Sequence, residues 1–165
     1  MIKKKVCMLG AFSVGKTSLV QQYVHSIFSD KYHTTVGVKI EKAQVIIQET
    51  PVDLIIWDLH GEDGFQHVRL SYLKGSSGCI YVADGTRSTT LATALNLREI
   101  VEKTMGTMPF LLVINKVDLI DLWEIDSLLM DEIREKGITV VQTSAKTGDA
   151  VRHAFQLLTE KMMDT

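Results

Sequence analysis

The stretch Gly10-Ala11-Phe12-Ser13-Val14-Gly15-Lys16-Thr17 matches the phosphate-binding pattern Gly-x-x-x-x-Gly-Lys-Thr at every fixed position. The apolar run Lys5 to Leu9 precedes it and has the length of a buried strand, while Ser18 to Val24 continues without Gly or Pro, as a helix can. Glycines let the backbone turn tightly with its N–H groups pointing inward, and the helix adds the positive end of its dipole. The pattern therefore predicts a strand, an anion-binding loop and a helix.

Residues 10–17, called the phosphate loop from here on, carry side chains suited to a nucleotide. We expect Lys16 to reach the outer phosphates and Thr17 to offer its hydroxyl to a magnesium ion. A chance match in a glycine-containing turn is the alternative, which the flanking strand and helix disfavour. The candidate phosphate contacts are Ser13, Val14, Gly15, Lys16, Thr17 and Ser18.

Length and composition restrict the class of protein. The chain has 165 residues and a net charge of −2, so we expect a single domain over residues 1–165 and no nucleic-acid partner. The basic run Lys3 to Lys5 is interpreted as a solvated lead-in to the first strand, with membrane contact as the alternative. Cys7 and Cys79 lie in apolar runs and are expected to be buried and reduced. Without a signal peptide or a long apolar stretch, the expected location is the cytoplasm.

Strand-like and helix-like segments alternate along the chain, which predicts an α/β fold with a mostly parallel six-stranded sheet. Val38 to Gln48 and Val52 to Asp58 are expected to pair antiparallel around a turn at Glu49 to Pro51, which makes one edge strand antiparallel. The other expected strands are Lys5 to Leu9, Cys79 to Ala83, Phe110 to Ile114 and Ile138 to Gln142. The expected helices are Ser18 to Val24, Phe65 to Lys74, Leu91 up to Gly106, Leu122 to Lys136 and Asp149 to Met163.

Ligands of such sheets bind at the carboxyl ends of the strands, so the residues that follow each strand are the candidates for chemistry. After the third strand, Asp58 can hold a water on the magnesium ion and the N–H of Gly61 can meet the terminal phosphate. After the fifth strand come Asn115-Lys116-Val117-Asp118, and after the sixth come Ser144-Ala145-Lys146.

Asp118 indicates which base is bound. A carboxylate accepts hydrogen bonds from the N1–H and the exocyclic amine of guanine, whereas adenine presents no such pair of donors. Asn115 can bond the purine or the neighbouring loops, Lys116 can lay its stem over the base, and the N–H of Ala145 can bond the guanine carbonyl. The cofactors expected from these residues are GTP and GDP with Mg²⁺.

Taken together, these motifs resemble those of the small GTPases of the Ras superfamily, and the likeness covers essentially the whole chain. The runs Gly15 to Leu19 and Phe28 to Val38 look most like the Rab branch. The fold implied is the three-layer fold of P-loop NTPases.

The resemblance implies further site residues. Phe28 would pack against guanine, Tyr32 would close over the phosphates, and Thr35 would join Thr17 on the magnesium ion. Asp30 to Val38 and His60 to Tyr72 would be the mobile regions that contact effector, exchange and activating proteins. The γ-phosphate would hold both regions through Thr35 and Gly61, and hydrolysis would release them. The implied catalytic group is Lys16, Thr35, Gly61 and Glu62.

Three features depart from the family pattern. Glu62 stands where glutamine is usual after the Asp-x-x-Gly glycine, with His60 before that glycine, so the expected rate of hydrolysis is low. Phe12 places a bulky ring in the phosphate loop, where it either crowds a partner's arginine or packs on the second mobile region. No cysteine-containing tail is present, so no lipid anchor is expected in this chain.

Two functions remain open at this point, with a third in reserve. The first is a GTP-hydrolysing switch, and the second is a GTP-binding interaction module with weak or no hydrolysis. They share the binding residues and differ at Glu62. A P-loop kinase is disfavoured because Asn115 to Asp118 selects guanine and no arginine-rich lid is evident.

Overall fold

A computed structural model describes residues 1–30, 37–59 and 70–165. Within these ranges the strands are β1 (Ile2–Gly10), β2 (Val38–Ile47), β3 (Thr50–Leu59), β4 (Gly78–Asp84), β5 (Phe110–Asn115) and β6 (Val140–Thr143). The helices are α1 (Lys16–His25), α2 (Leu70–Leu73), α3 (Ser88–Met105), α4 (Ser127–Glu135) and α5 (Val151–Met163), with a 3₁₀ helix at Val117–Leu122. None of the helices in the described ranges is both long enough and apolar enough to cross a membrane.

The strands form one sheet in the order β2, β3, β1, β4, β5, β6. All neighbouring pairs are parallel except β2 with β3, which are antiparallel. Val6 and Cys7 point to opposite faces of β1 and are both 0% exposed, as expected for a strand covered on both sides. The mostly parallel six-stranded sheet with one antiparallel edge strand is confirmed, and its parallel strands place the ends of β1, β4, β5 and β6 along one edge.

Helices cover both faces of the sheet and make a three-layer core. On one face, Leu19 of α1 and Phe155 and Leu158 of α5 pack with Val6 and Met8 of β1. The opposite face is covered by α3 and α4, whose buried side chains are Leu91, Ala94, Leu97, Val101, Met130 and Ile133. Each fully buried large apolar side chain contributes about 1.5–3 kcal/mol of transfer free energy, so the two clusters hold the site-bearing edge in place.

The turn between β2 and β3 differs from the prediction. The turn residues are Gln48 and Glu49, with φ of 47° and 66°, whereas Thr50 and Pro51 belong to β3. Two consecutive left-handed residues make the tight hairpin turn whose twist matches the flanking strands. Pro51 is tolerated because the pairing of β3 with β1 begins only at Val52.

The helix expected from Leu122 to Lys136 begins later than predicted. Residues up to Leu122 form the 3₁₀ helix, and α4 starts at Ser127 because the Asp126 carboxylate accepts the N–H of Leu129 at 2.8 Å and caps the first turn. The apolar residues between the two helices recur at helical spacing, although the backbone of Trp123 is extended.

Smaller differences concern the ends of other elements. The last strand begins at Val140 rather than Ile138, and α5 begins at Val151 rather than Asp149. Of the helix expected from Phe65 to Lys74, the described part is α2, and residues 65–69 lie outside the described residues.

Candidate functional site

The phosphate loop connects β1 to α1, as its sequence predicts. Gly10 and Gly15 have φ of 153° and 102°, values that side chains rarely allow. A Cβ atom at Gly10 would collide with the carbonyl oxygen of Val82, and one at Gly15 would collide with the Asn115 side chain. Both glycines are therefore required by close contacts with β4 and β5 as well as by backbone conformation.

Lys16 fills the loop from the first turn of α1. Its side-chain ammonium donates to the carbonyl oxygens of Gly10 at 2.9 Å and Ala11 at 2.8 Å, and the residue is 5% exposed. Burial lowers the pKa of Lys16 to about 8, Arg87 contributes in the same direction, and the Asp58 carboxylate opposes both. A phosphate bound here would contact the Lys16 ammonium, which is already shielded from water.

Thr17 and Asp58 lie side by side at the ends of the loop and of β3. The Thr17 hydroxyl donates to Asp58 Oδ2 at 2.6 Å, and Asp58 is 1% exposed. A hydroxyl and a carboxylate are hard oxygen donors, and Mg²⁺ is commonly bound by one or two such groups together with phosphate oxygens and water. The donor set of these two residues fits a magnesium ion.

Asn115 joins three loops at the end of β5. Its Nδ2 donates to the carbonyl oxygen of Val14 at 3.1 Å, and its Oδ1 accepts from the Thr143 hydroxyl at 3.0 Å and from the N–H of Ala145 at 3.2 Å. Asn115 is 2% exposed. Of the two contacts predicted for it, the structure has the one to neighbouring loops. The Ala145 N–H, which was expected to bond a guanine carbonyl, donates to Asn115 in this structure, so its base contact stays a prediction.

Asp118 follows Asn115 in the 3₁₀ helix and is exposed. The hydroxyl of the buried Ser144 donates to Asp118 Oδ1 at 2.8 Å and accepts the N–H of Thr147 at 3.1 Å. Ser144 thus links the carboxylate to the loop after β6, and α1 joins the same loop because Gln22 Nε2 donates to the Ala145 carbonyl at 2.8 Å. Asp118 is thus held at a surface position by the loop that follows β6.

The remaining predicted residues fall into two groups. Ser13 and Ser18 are half-buried in the loop and in the first turn of α1, Phe28 is 37% exposed after α1, and Lys146 is exposed. Tyr32, Thr35, His60, Gly61 and Glu62 lie outside the described residues, so their predicted roles stay predictions.

Asp84 at the end of β4 is a site residue that the sequence analysis missed. Its Oδ2 contacts Lys116 Nζ at 2.8 Å and Arg87 Nε at 3.1 Å, and its Oδ1 accepts from the N–H and the hydroxyl of Thr86 at 2.9 and 2.7 Å. Burial raises the pKa of Asp84, but the hydrogen bonds from Lys116 and Thr86 outweigh burial and hold the pKa below its ordinary value. The sequence signal was an acidic residue directly after the predicted buried strand Cys79 to Ala83. No site residue was predicted at the end of that strand.

Asp84 holds the ammonium of Lys116. This ammonium contacts Asp84 and also donates to the carbonyl oxygen of Ser13 at 3.3 Å. The Lys116 backbone has a φ of 75°, and its carbonyl accepts the indole N–H of Trp123 at 2.9 Å. The whole Lys116 side chain is 32% exposed, and the contact of its stem with a base stays a prediction.

Comparison with known proteins decides the family. The model of the Ras family matches residues 5–164 of the chain. The chain belongs to the Ras family.

Individual relatives agree with this assignment. The Ras family member described here is 34% identical to the Ras-related protein Rab-7b of Homo sapiens over 164 residues, which covers 96% of this chain and 82% of that protein. It is 31% identical to the Ras-related protein Rab7 of Drosophila melanogaster, with 97% and 80% of the two chains covered. It is 32% identical to the Ras-related protein RABG3f of Arabidopsis thaliana, with 93% and 79% covered.

These relatives place the chain in the Rab branch of the small GTPases. Ras family proteins are GTP-binding regulatory switches with GTPase activity that act through effector, exchange and activating proteins. The predicted family and fold are therefore confirmed.

Proposed function

We propose that residues 1–165 form one GTPase domain that binds GTP and GDP with Mg²⁺ at the phosphate loop, selects guanine through Asp118 and hydrolyses GTP slowly. One observation carries the proposal. Asn115 bonds both the phosphate loop at Val14 and the loop after β6 at Ala145, while Ser144 of that second loop holds Asp118. A phosphate cradle and a base-selecting carboxylate are thus parts of one connected site.

Selection of guanine rests on the chemistry of Asp118. Its exposed carboxylate is an acceptor for the N1–H and the exocyclic amine of guanine, and the Ser144 hydroxyl steadies Oδ1. With adenine, which lacks that pair of donors, the carboxylate would lose its solvation without gaining hydrogen bonds. The resulting selectivity is roughly 10³-fold or more. In this proposal Phe28, Lys116, Ala145 and Lys146 complete the base site.

In this proposal, Lys16 and the residues of the magnesium site neutralise the negative charge of the phosphates. Thr17 and Thr35 are the proposed direct ligands, and Asp58 acts through a bound water. When present, Mg²⁺ supplies positive charge to the β- and γ-phosphates. Lys16 contributes a second positive charge from inside the loop, and the Gly10 and Ala11 carbonyls hold its ammonium there.

Switching is assigned to the two regions flanking the site, Asp30 to Val38 and His60 to Tyr72. Contacts of Thr35 and Gly61 with the γ-phosphate order both regions, and hydrolysis removes those contacts. Effector, exchange and activating proteins bind these regions. The proposed setting is the cytoplasm, without nucleic acid as a partner.

Slow hydrolysis rests on Glu62 and Phe12. An ionised glutamate accepts hydrogen bonds but cannot donate one to the γ-phosphate as glutamine does. Phe12 is half-buried in the phosphate loop, and in this proposal its ring narrows the space for an arginine supplied by a partner, the alternative being that it packs on the second mobile region. A GTP-binding module without hydrolysis is the second candidate, favoured by the same Glu62, and the time course of bound GTP in a single-turnover assay distinguishes the two.

The binding claim is tested by mass analysis of the nucleotide released from the purified protein. We expect GDP or GTP, with Mg²⁺ detected in the same preparation by elemental analysis. ADP or ATP at comparable occupancy would overturn the assignment of guanine.

A further inference from the structure

Three consecutive carbonyl groups of the phosphate loop are bonded by side chains from other parts of the sheet edge. Arg87 Nη2 donates to the carbonyl oxygen of Phe12 at 2.9 Å. Lys116 Nζ donates to that of Ser13 at 3.3 Å, and Asn115 Nδ2 donates to that of Val14 at 3.1 Å. Each of these three carbonyl groups is therefore bonded by one side chain from outside the phosphate loop.

The direction of the carbonyls fixes the direction of the N–H groups. In a planar trans peptide the C=O of one residue and the N–H of the next point in opposite directions, and the described residues contain no cis peptide. When Arg87 binds the Phe12 carbonyl, the N–H of Ser13 is turned away from Arg87. The same reasoning applies to the N–H groups of Val14 and Gly15, so the three N–H groups face the side opposite to their anchors.

Arg87 is tied to this position by a second bond. Its Nε contacts Asp84 Oδ2 at 3.1 Å while its Nη2 holds Phe12. Arg87 is the residue that precedes α3, yet its side chain makes no capping bond to that helix. A guanidinium presents several N–H donors in a rigid fork and can serve two acceptors at once, which a single ammonium cannot reproduce in the same geometry.

Asp84 connects Arg87 to the base side of the site. The same Oδ2 atom contacts Lys116 Nζ at 2.8 Å, so one buried carboxylate positions the side chains that hold Phe12 and Ser13. Two cations on one buried carboxylate form a charge-assisted network in which each member restricts the others.

The position of Phe12 in the loop indicates which part of a nucleotide is affected. The Gly15 end of the loop lies against Asn115, which bonds the base-side loop at Ala145. The Gly10 end holds Lys16, the residue assigned to the outer phosphates. Along the chain, the Phe12–Ser13 peptide directly follows Ala11, whose carbonyl holds the Lys16 ammonium, and precedes Val14, whose carbonyl is bonded by Asn115.

We propose that Arg87 is a positioning residue that orients the Phe12–Ser13 peptide so that the Ser13 N–H points at the outer phosphates of the bound nucleotide, with Asp84 coupling it to Lys116. This inference rests on the proposed function, since it assumes a guanine nucleotide in the loop. Arg87 itself touches the backbone of the loop and is not assigned a contact with the nucleotide.

The test compares Arg87→Gln and Arg87→Lys with wild type in competition binding of GDP and GMP. Because GMP lacks the outer phosphate, a loss of Ser13 N–H orientation reduces affinity for GDP alone. We expect a decrease of about 10-fold or more for Arg87→Gln, the size associated with one hydrogen bond to a charged group. Arg87→Lys is expected to be intermediate, because one ammonium keeps the charge and not the fork.

A phosphorus NMR spectrum of bound GDP gives a second readout. We expect Arg87→Gln to shift the β-phosphate resonance and to leave the α-phosphate resonance in place. Arg134→Gln is the matched control, since Arg134 pairs with Asp131 on the surface of α4 at 3.6 Å and should change neither affinity nor spectrum.

The outcomes separate the two claims. Equal losses of GDP and GMP affinity, or unchanged GDP affinity in both Arg87 variants, would overturn the positioning role while leaving nucleotide binding intact. If Arg87→Gln is too unstable to bind either nucleotide while Arg87→Lys binds both as wild type does, Arg87 is a structural residue. That result would also overturn the positioning role. Failure of wild-type protein to bind GDP would overturn the proposed function itself, and this inference with it.

Discussion

The side-chain amide of Asn115 donates a hydrogen bond to the carbonyl oxygen of Val14 over 3.1 Å and thereby ties the end of β5 to the phosphate loop. The same side chain accepts from Thr143 and Ala145. Because all of these groups are buried, none of them gains water when the bond is lost. Asn115 is therefore a structural centre of the site as well as a candidate base contact.

Asn115→Ala is expected to destabilise the protein even without nucleotide. Leaving several buried polar groups without their partner costs roughly 2–4 kcal/mol in the free energy of unfolding, or about 5–15 °C in Tm for a protein of this size. Thermal unfolding of the nucleotide-free protein measures the change. Gln156→Ala is the control, since Gln156 is exposed on α5 and bonds only Glu160 among the described contacts. A Tm within a degree or so of wild type would contradict the structural role.

Nucleotide binding is expected to take up protons above pH 8. Burial lowers the pKa of Lys16 to about 8 in the free protein, and a phosphate beside the ammonium raises that pKa again. At pH 8.5 a large share of Lys16 is neutral and must be protonated on binding, so affinity for GDP falls as pH rises through 8. The raised pKa values of Cys7 and Cys79 keep both thiols protonated in this range.

Calorimetry in two buffers of different ionisation enthalpy measures this proton uptake. We expect up to one proton per GDP at pH 8.5 and a smaller uptake at pH 7.5, where more of Lys16 is already charged and the terminal phosphate of GDP, with a pKa of about 6, is mostly ionised. Proton uptake that is the same at both pH values would show that Lys16 does not titrate near 8.

The same depressed pKa affects stability without nucleotide. The unfolded chain keeps its Lys16 proton up to about pH 10.4, whereas the folded chain releases it near 8. Stability from this group therefore rises between about pH 8 and 10.4, by up to roughly 3 kcal/mol.

Thr35→Ala is expected to weaken binding of a partner to the GTP state while leaving the affinity for GDP nearly unchanged. A residue that contacts only the γ-phosphate shifts only the state that contains it. Calorimetric titration with GDP and with a non-hydrolysable GTP analogue measures the difference. Thr104→Ala is the control, because the Thr104 hydroxyl lies on the exposed side of α3 and, in the described part of the chain, bonds only the Ile100 carbonyl at 2.8 Å. Equal losses for both nucleotides would make Thr35 a general structural residue.

Glu62→Gln is expected to raise intrinsic GTP hydrolysis. A glutamine restores the missing donor and removes a negative charge near the γ-phosphate, a repulsion of about 1 kcal/mol in water and roughly 4 kcal/mol at an effective dielectric of about 20 and a separation of about 4 Å. The expected gain is roughly 5-fold to 10³-fold in a single-turnover assay without partners. Glu99→Gln, at an exposed position of α3, should leave the rate unchanged. A slower Glu62→Gln protein would show that Glu62 is catalytic.

Much of the fold could be predicted because its signals are local. An apolar run followed by glycines at Gly10 and Gly15 specifies a strand and a phosphate loop, and the residues after β5 and β6 meet because parallel strands end at one edge. The hairpin turn at Gln48 and Glu49 lacks the Asn-Gly or Asp-Gly signal of such turns, so it was misplaced.

The rest of the site depends on contacts between distant segments. Arg87 and Phe12 are far apart in sequence, and their bond exists only because β4 lies beside β1 in the sheet. No pattern in the residues after β4 predicts that an arginine there binds a carbonyl group of the phosphate loop. Asp126 was not predicted as a helix cap for a different reason. The apolar residues before it recur at helical spacing, so the sequence predicts that the helix has already begun there, although Asp126 caps its first turn.

The central claim, that this site selects guanine through Asp118, is tested most directly by the affinities of the Asp118→Asn protein for GDP and for xanthosine diphosphate. Xanthine carries a carbonyl where guanine carries its amine, and an asparagine amide can donate to it. We predict that Asp118→Asn binds GDP roughly 10³-fold more weakly and prefers the xanthine nucleotide, while Asp121→Asn, three positions along the same 3₁₀ helix, retains the wild-type preference. An Asp118→Asn protein that still prefers GDP, as wild type does, would contradict the claim.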